Sequence, residues 1–328
     1  MKKFNILVTG ISGIPGYGVV DALRASKYDC NIIGVGIYEN AAGRQWCDEF
    51  EKGPKADDPH FISFIHDLII KYKVDLVIPT VELEITQFMK HKKMFENLHT
   101  KFVLHDIDLY NILNDKSKTF NYFNGKIAQI PTIVGSDDLN YNNVIEKLSV
   151  PFILKKSISS GSQGVVTIND QKDFEYWKYK FADGFICQKK IRGQEYTISV
   201  FGIQTGKYVN MIVFSRTLIN GVTMGAECVE PDNKIIEYID KICEIMSPIG
   251  PTNIQLIKDQ ESDRYLLLEV NARISASTSI RYKLGVNEPD MCIEYFLLNK
   301  IPDKRIPIKA SAIRYLKDKI EYHDSNNL

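Results

Sequence analysis

Short apolar runs and helix-spaced apolar positions alternate through the first hundred residues. Ile6–Thr9, Asn31–Val35, Asp75–Ile78 and Lys101–Leu104 read as buried strands. Val19, Val20 and Leu23 mark a helix after the first of them. Phe61, Phe64, Ile65, Leu68, Ile69 and Tyr72 recur at the spacing of one helix face. Strands that alternate with helices predict a parallel sheet covered on both faces. After about Asp106 the rhythm changes. Ser117–Asn124 reads as helix, and Phe152–Lys155 and Val165–Ile168 as strands on either side of a Ser/Gly-rich loop. Beyond Phe185 the strands follow one another directly: Ile186–Lys189, Tyr196–Phe201 and Tyr208–Phe214, with a hairpin at Gly202–Gly206. A helical pattern (Ile235, Ile239, Ile242, Ile245, Met246) precedes two more strands, Asn253–Ile257 and Tyr265–Val270. This second part has α+β character with antiparallel strands.

The 328 residues suffice for two or three domains. Lys plus Arg number 41 and Asp plus Glu 41, so the formal net charge is zero. A chain that grips nucleic acid or an anionic membrane carries an excess of positive charge, so neither is expected as a partner. No run of ~18 apolar residues is present, and the apolar stretch at the N-terminus is too short for a signal peptide. Six scattered cysteines without a C-x-x-C pair argue against a disulfide framework or a zinc site, and point to a cytoplasmic protein.

Three segments suggest chemistry. Gly10-x-x-Gly13-x-x-Gly16 follows the first strand, where backbone N–H groups could face an anion. Its spacing departs from G-x-G-x-x-G and Pro15 lacks an N–H, so a tight strand-to-helix turn in a Rossmann-like domain is the reading preferred to dinucleotide binding. In Tyr265–Arg273, period-two alternation puts Glu269, Asn271 and Arg273 on one face. A carboxylate and an amide oxygen suit Mg²⁺ on phosphate oxygens, a guanidinium suits a phosphoryl group, and Gln255 on the preceding strand could add a third oxygen. The strand Pro151–Lys155 delivers a lysine to the loop Ser157–Gly164, whose small residues could close over phosphates. No G-x-x-x-x-G-K-[ST] motif occurs. Glu82 and Glu84, two carboxylates after the third strand, suggest metal or acid–base work, but the preference of a helix N-terminus for acidic residues explains them without catalysis and is the reading preferred.

In this order the segments resemble the ATP-grasp superfamily, and in particular the ATP-binding region of the carbamoyl phosphate synthetase large subunit and stand-alone carboxylate–amine ligases. The resemblance covers roughly Leu7 to Gly285. It implies that Lys116, in Asp115-Lys116, and Lys155 contact nucleotide phosphates, and that alternation from Pro151 points Lys155 rather than Lys156 inward. It implies a flap at Ser159–Gly164 that includes Ser160 and Gly161. Cys187–Ile191 resembles the linker that holds adenine by its main chain, with Gln188 or Lys189 where the family often has an acid, and with Ile191 at its end. Glu195, in Gly193-Gln194-Glu195-Tyr196, would approach the ribose. Glu269-Val270-Asn271-Ala272-Arg273 resembles E-[VI]-N-P-R, with Ala272 in place of proline. Glu269 and Asn271 would then bind the metal with Gln255, and Arg273 would face the γ-phosphate or an acyl phosphate. Arg216 and Gly221–Gly225 lie where relatives meet the acyl substrate.

The expected architecture is therefore an α/β N-terminal Rossmann-like (pre-ATP-grasp) domain over residues 1–106, followed by an α+β two-lobed ATP-grasp domain. Residues 107–188 would form the small lobe with its glycine-rich flap, and residues 189–328 the large lobe with its metal site. The implied activity uses ATP and Mg²⁺, or Mn²⁺, to activate a carboxylate as an acyl phosphate and join it to an amine. Alternatives are a carbamoyl-phosphate-synthetase-like phosphotransferase and a nucleotide-binding regulatory protein with little turnover. Small-molecule carboxylate and amine substrates, and a possible homodimer, complete the expectations.

Overall fold

A computed structural model describes residues 2–159, 164–219, 222–315, 318 and 320. Three sheets form among them. The first is built from β1 (Phe4–Val8), α1 (Ile14–Arg24), β2 (Cys30–Gly36), β3 (Glu49–Lys52), α2 (Phe61–Tyr72), β4 (Leu76–Ile78), α3 (Glu82–Lys90) and β5 (Lys101–Phe102). Its strands are parallel in the order β3-β2-β1-β4-β5. Alternation along β1 divides the core. Leu7 joins Ile33 and Val77 under α2, while Ile6 and Val8 face α1 and the C-terminal part of the chain. The strand β3, with its polar sequence Glu-Phe-Glu-Lys, carries no apolar run and is absent from the sequence reading.

Two helices, α4 (Ile107–Leu113) and α5 (Lys116–Phe123), lead into the second sheet. This contains β6 (Thr132–Val134), β7 (Phe152–Lys156), β8 (Val165–Ile168) and β9 (Phe185–Lys189), in the antiparallel order β6-β9-β7-β8. The helices α6 (Tyr141–Leu148) and α7 (Gln171–Lys180) cover one face through Val144, Leu148 and Phe174.

The third sheet holds β10 (Gly193–Ile203), β11 (Tyr208–Ile219), β12 (Val222–Val229), β13 (Ile249–Asp259), β14 (Tyr265–Asn271) and β15 (Ser311–Ile313), in the order β14-β13-β10-β11-β12-β15. Apolar positions at helical spacing on α8 (Asn233–Met246) pack Ile235, Ile239, Ile242 and Met246 against Ile198, Ile254, Leu256 and Val270 on one face. The alternate positions of the same strands, Glu195, Thr197, Asn253, Gln255, Glu269 and Asn271, face a cleft. After β14 come two short helices, α9 (Thr278–Arg281) and α10 (Glu288–Cys292), before the chain returns to the sheet edge as β15. No described helix is long and apolar enough to cross a membrane.

Candidate active site

The cleft, about 470 Å³ in volume, is of the size that holds small ligands. Its lining includes Lys116, Lys155, Ser159, Glu195, Arg216, Gln255, Glu269, Asn271 and Arg273, drawn from elements spread over more than 150 positions of sequence.

Each cation is held by local structure. Asp115 caps α5, accepting from the N–H groups of Ser117 at 2.9 Å and Lys118 at 3.3 Å. Such a cap stabilises a helix by about 1 kcal/mol and fixes where the next residue points. The Lys116 ammonium then donates to Ser159, at 2.9 Å to its carbonyl and 3.1 Å to its hydroxyl. Lys155 Nζ donates to Gln188 Oε1 at 2.7 Å, whereas Lys156 pairs with Asp183 at 3.4 Å outside the cleft. Burial lowers the Lys116 ammonium and pulls that of Lys155 down to about 8, against the attraction of Glu269.

Arg273 donates to Glu82 at the start of α3, Nε to Oε1 at 2.8 Å, and to the carbonyl of Ile274 at 3.0 Å. Glu82 sits in the first turn of α3, where the helix-end preference puts it, and it also lines the cleft. Glu84 also does more than favour a helix end. It is buried and accepts from the Thr9 hydroxyl at 2.6 Å. The Gly10–Gly18 segment is closed on itself, with Gly13 N–H donating to the Gly10 carbonyl at 3.0 Å, and it sends Ile14 and Pro15 into the cleft.

Four expected residues stand differently. Gln255 Oε1 accepts from Arg216 at 2.6 Å, so that oxygen is committed to a guanidinium rather than open to a metal. Arg216 also pairs with Glu195 at 3.3 Å, and its buried Nε has no partner among the described residues. Lys189 and Ile191 do not line the cleft. The Lys189 N–H bonds the Pro131 carbonyl at 2.9 Å, and Ile191 packs with Ile130, Ile257 and Leu266. Ser160, Gly161 and Gly221 lie outside the described residues. Gly164, at φ +71°, accepts from the Lys156 N–H at 2.8 Å rather than lining the cleft.

Glu269 and Asn271 differ from their neighbours. Among the described residues, no hydrogen bond engages either side chain, so their oxygens are open to the cleft. Beside them a slot opens whose apolar lining is Leu113, Phe120, Ile130, Ile186, Leu267 and Leu268 and whose polar lining includes Asn114, Thr119, Gln129 and Gln188. The slot shares Lys116, Ser159, Glu269 and Asn271 with the cleft, so the two are continuous.

Sequence reasoning missed Thr197, Asn253, Ser277 and Arg314, which also line the cleft. Thr197 and Asn253 were available from strand alternation. Arg314 follows a three-residue strand and carried no signal.

Comparison with known proteins places this geometry in a family. Residues 113–277, half of the chain, match the ATP-grasp domain, and residues 9–103 match the PylC-like N-terminal domain. D-alanine–D-alanine ligase of Rickettsia akari (strain Hartford) is 22% identical over 191 residues, 53% of this chain and 59% of the relative. The homologue from Rickettsia canadensis (strain McKiel) is 24% identical over 40% of each chain, so the match spans well under two thirds of these curated relatives. N5-carboxyaminoimidazole synthetase from Staphylococcus aureus, solved with ADP, superposes with a TM-score of 0.77 at 18% identity, over 96% of this chain and 83% of the other. L-amino acid ligase from Bacillus licheniformis superposes with a TM-score of 0.68 at 15% identity, over 94% and 76%. At these identities the superpositions speak for the fold. The chain belongs to the ATP-grasp domain family.

Proposed function

We propose that this protein is an ATP-dependent ligase that activates a carboxylate as an acyl phosphate and joins it to an amine, releasing ADP and phosphate. One observation carries the reading. Lys116, Lys155, Arg273 and the open oxygens of Glu269 and Asn271 converge in one cleft that runs into a partly apolar slot. The ligases named among the similar proteins lend it support.

The apolar walls of the slot at Ile130, Ile186 and Leu268 suit a flat base, with Gln188 among its polar lining. Lys116 and Lys155 would exchange their internal partners, Ser159 and Gln188, for phosphate oxygens. Glu269 and Asn271 would hold Mg²⁺, which supplies charge neutralisation on the polyphosphate when bound. The described residues contain no group of three or more His, Cys, Asp or Glu that could hold a metal ion. The donor set therefore fits an ion whose shell is completed by nucleotide phosphates and water, the usual arrangement for Mg²⁺. In the reaction a carboxylate oxygen attacks the γ-phosphorus and ADP leaves. The amine nitrogen then attacks the acyl carbon, the C–O bond to phosphate breaks, and the nitrogen loses a proton. Arg273 would face the transferred group after loosening from Glu82, and the chain's contribution is positioning and charge complementarity.

The N-terminal parallel sheet is read as the Rossmann-like pre-ATP-grasp domain, on the strength of its strand order and two-sided helical cover. The second and third sheets are read as the two lobes that close on nucleotide.

The test is phosphate release from Mg·ATP with pooled amino acids and other small carboxylates, with products identified by mass spectrometry. Glu269→Ala should abolish turnover with the fold intact by circular dichroism. Unchanged turnover in that variant would remove the metal-holding role.

A further inference from the structure

Arginines in and beside this cleft are mostly neutralised by carboxylates. Arg216 pairs with Glu195, Arg273 with Glu82, and the fully buried Arg281 with Glu288. Arg314 is different. Its N–H groups donate to the Thr223 carbonyl at 3.2 Å, the Ala276 carbonyl at 2.8 Å and the Ser279 hydroxyl at 3.4 Å. All three are neutral oxygens. Among the described residues no carboxylate lies within salt-bridge distance of it, and these bonds leave two of its five donors.

The guanidinium is nevertheless fixed. The pairing of β15 with β12 matches Gly225 with Ile313, and the Arg314 N–H extends it to the Met224 carbonyl at 2.8 Å. The side chain then spans from β12 to the segment that follows Arg273. It lines the cleft together with Ser275, Ser277 and Pro15; of the two lysines that also line it, Lys116 extends to the slot and Lys155 belongs to the small sheet. A held guanidinium that keeps unused donors and meets no opposite charge among the described residues is complementary to an oxyanion, and its planar fork matches a carboxylate.

We propose that Arg314 determines specificity by binding a carboxylate of the substrate other than the one that is phosphorylated. The substrate class is then a small molecule with a second carboxylate, such as a dicarboxylate. This rests on the ligase reading for its place in the reaction, but the anion site itself can be tested without turnover.

The experiment titrates malonate, and separately inorganic phosphate, into the full chain, free and loaded with ADP, by calorimetry. Wild type, Arg314→Gln, Arg314→Lys and Lys155→Gln are compared. Malonate should bind the ADP-loaded wild type, weaken roughly ten- to hundredfold in Arg314→Gln, and weaken less in Arg314→Lys, which keeps the charge. ADP affinity should be unchanged by Arg314→Gln and reduced by Lys155→Gln, while free Lys155→Gln should still bind malonate. Equal malonate affinity in wild type and Arg314→Gln would overturn the proposal, as would no malonate binding to wild type. Phosphate binding at this site more tightly than malonate would overturn the carboxylate assignment. Failure of the wild type to bind ADP would instead count against the ligase reading, and the malonate comparison on the free protein would still decide the role of Arg314.

Discussion

Arg273 and Glu82 meet across 191 positions of sequence, with Nε 2.8 Å from Oε1. The pair joins the start of α3 to the end of β14, tying the N-terminal sheet to the strand that carries Glu269 and Asn271. It also gives the Arg273 guanidinium a counter-charge. In Glu82→Gln the guanidinium loses its counter-charge. The expected outcome is a loss of roughly 1–3 kcal/mol in denaturant unfolding, because one partner of a largely buried pair is removed. ATP affinity should rise severalfold as Arg273 turns to the γ-phosphate. Unchanged stability together with unchanged affinity would show that the pair does neither job.

Burial brings the Lys155 ammonium down to about 8 in the free protein. A bound polyphosphate favours the charged form and raises it again. Nucleotide binding near pH 8 should therefore take up roughly half a proton from this group, and almost none at pH 6.5. Calorimetry in two buffers of different ionisation enthalpy measures the uptake. Lys155→Gln should abolish it, and an uptake that survives the substitution would place the titrating group elsewhere.

Glu84 is the mirror case in an acid. Burial pushes its carboxyl from 4.5 up to about 7, with Glu82 adding to the effect and the Thr9 hydroxyl opposing it. Its contribution to stability is fully present below about pH 4.5 and is lost as pH rises through 7, because the unfolded chain ionises first. Wild type should lose on the order of 1–3 kcal/mol relative to Glu84→Gln between pH 4.5 and pH 8. Parallel stability curves for the two proteins would contradict this.

The N-terminal turn gives a paired test. A Cβ on Gly16 would lie 2.2 Å from the Gly10 carbonyl oxygen and 2.7 Å from the Ile11 Cα, both backbone atoms that cannot swing aside. On Gly13 the nearest atom is 3.6 Å away. Gly16→Ala should cost about 1–3 kcal/mol in urea unfolding, and Gly13→Ala close to nothing. Equal effects would mean that the turn is not packed as described.

Much of this site is written in local sequence. Period-two alternation on β10, β13 and β14 separates Glu195, Gln255, Glu269 and Asn271 from the apolar positions under α8, and the Asp115 cap explains why Lys116 heads its helix. What was not legible depends on distant partners. Nothing near Glu82 announces Arg273. Nothing near Gln255 announces that Arg216 takes its oxygen, a matter of which side-chain torsions the folded sheet permits. Arg314 ends a three-residue strand whose place is set by pairing with β12, not by an apolar pattern of its own. The strand β3 was hidden for the same reason, since its polar residues are organised by the neighbouring β2.

The central claim, phosphoryl transfer to a carboxylate, is tested most directly by following oxygen. The protein is incubated with Mg·ATP, an active amine and a carboxylate labelled with ¹⁸O in its carboxyl group, and the released phosphate is analysed by mass spectrometry. Formation and aminolysis of an acyl phosphate must leave one labelled oxygen in each phosphate. Phosphate released without the label, in step with product, would contradict the mechanism.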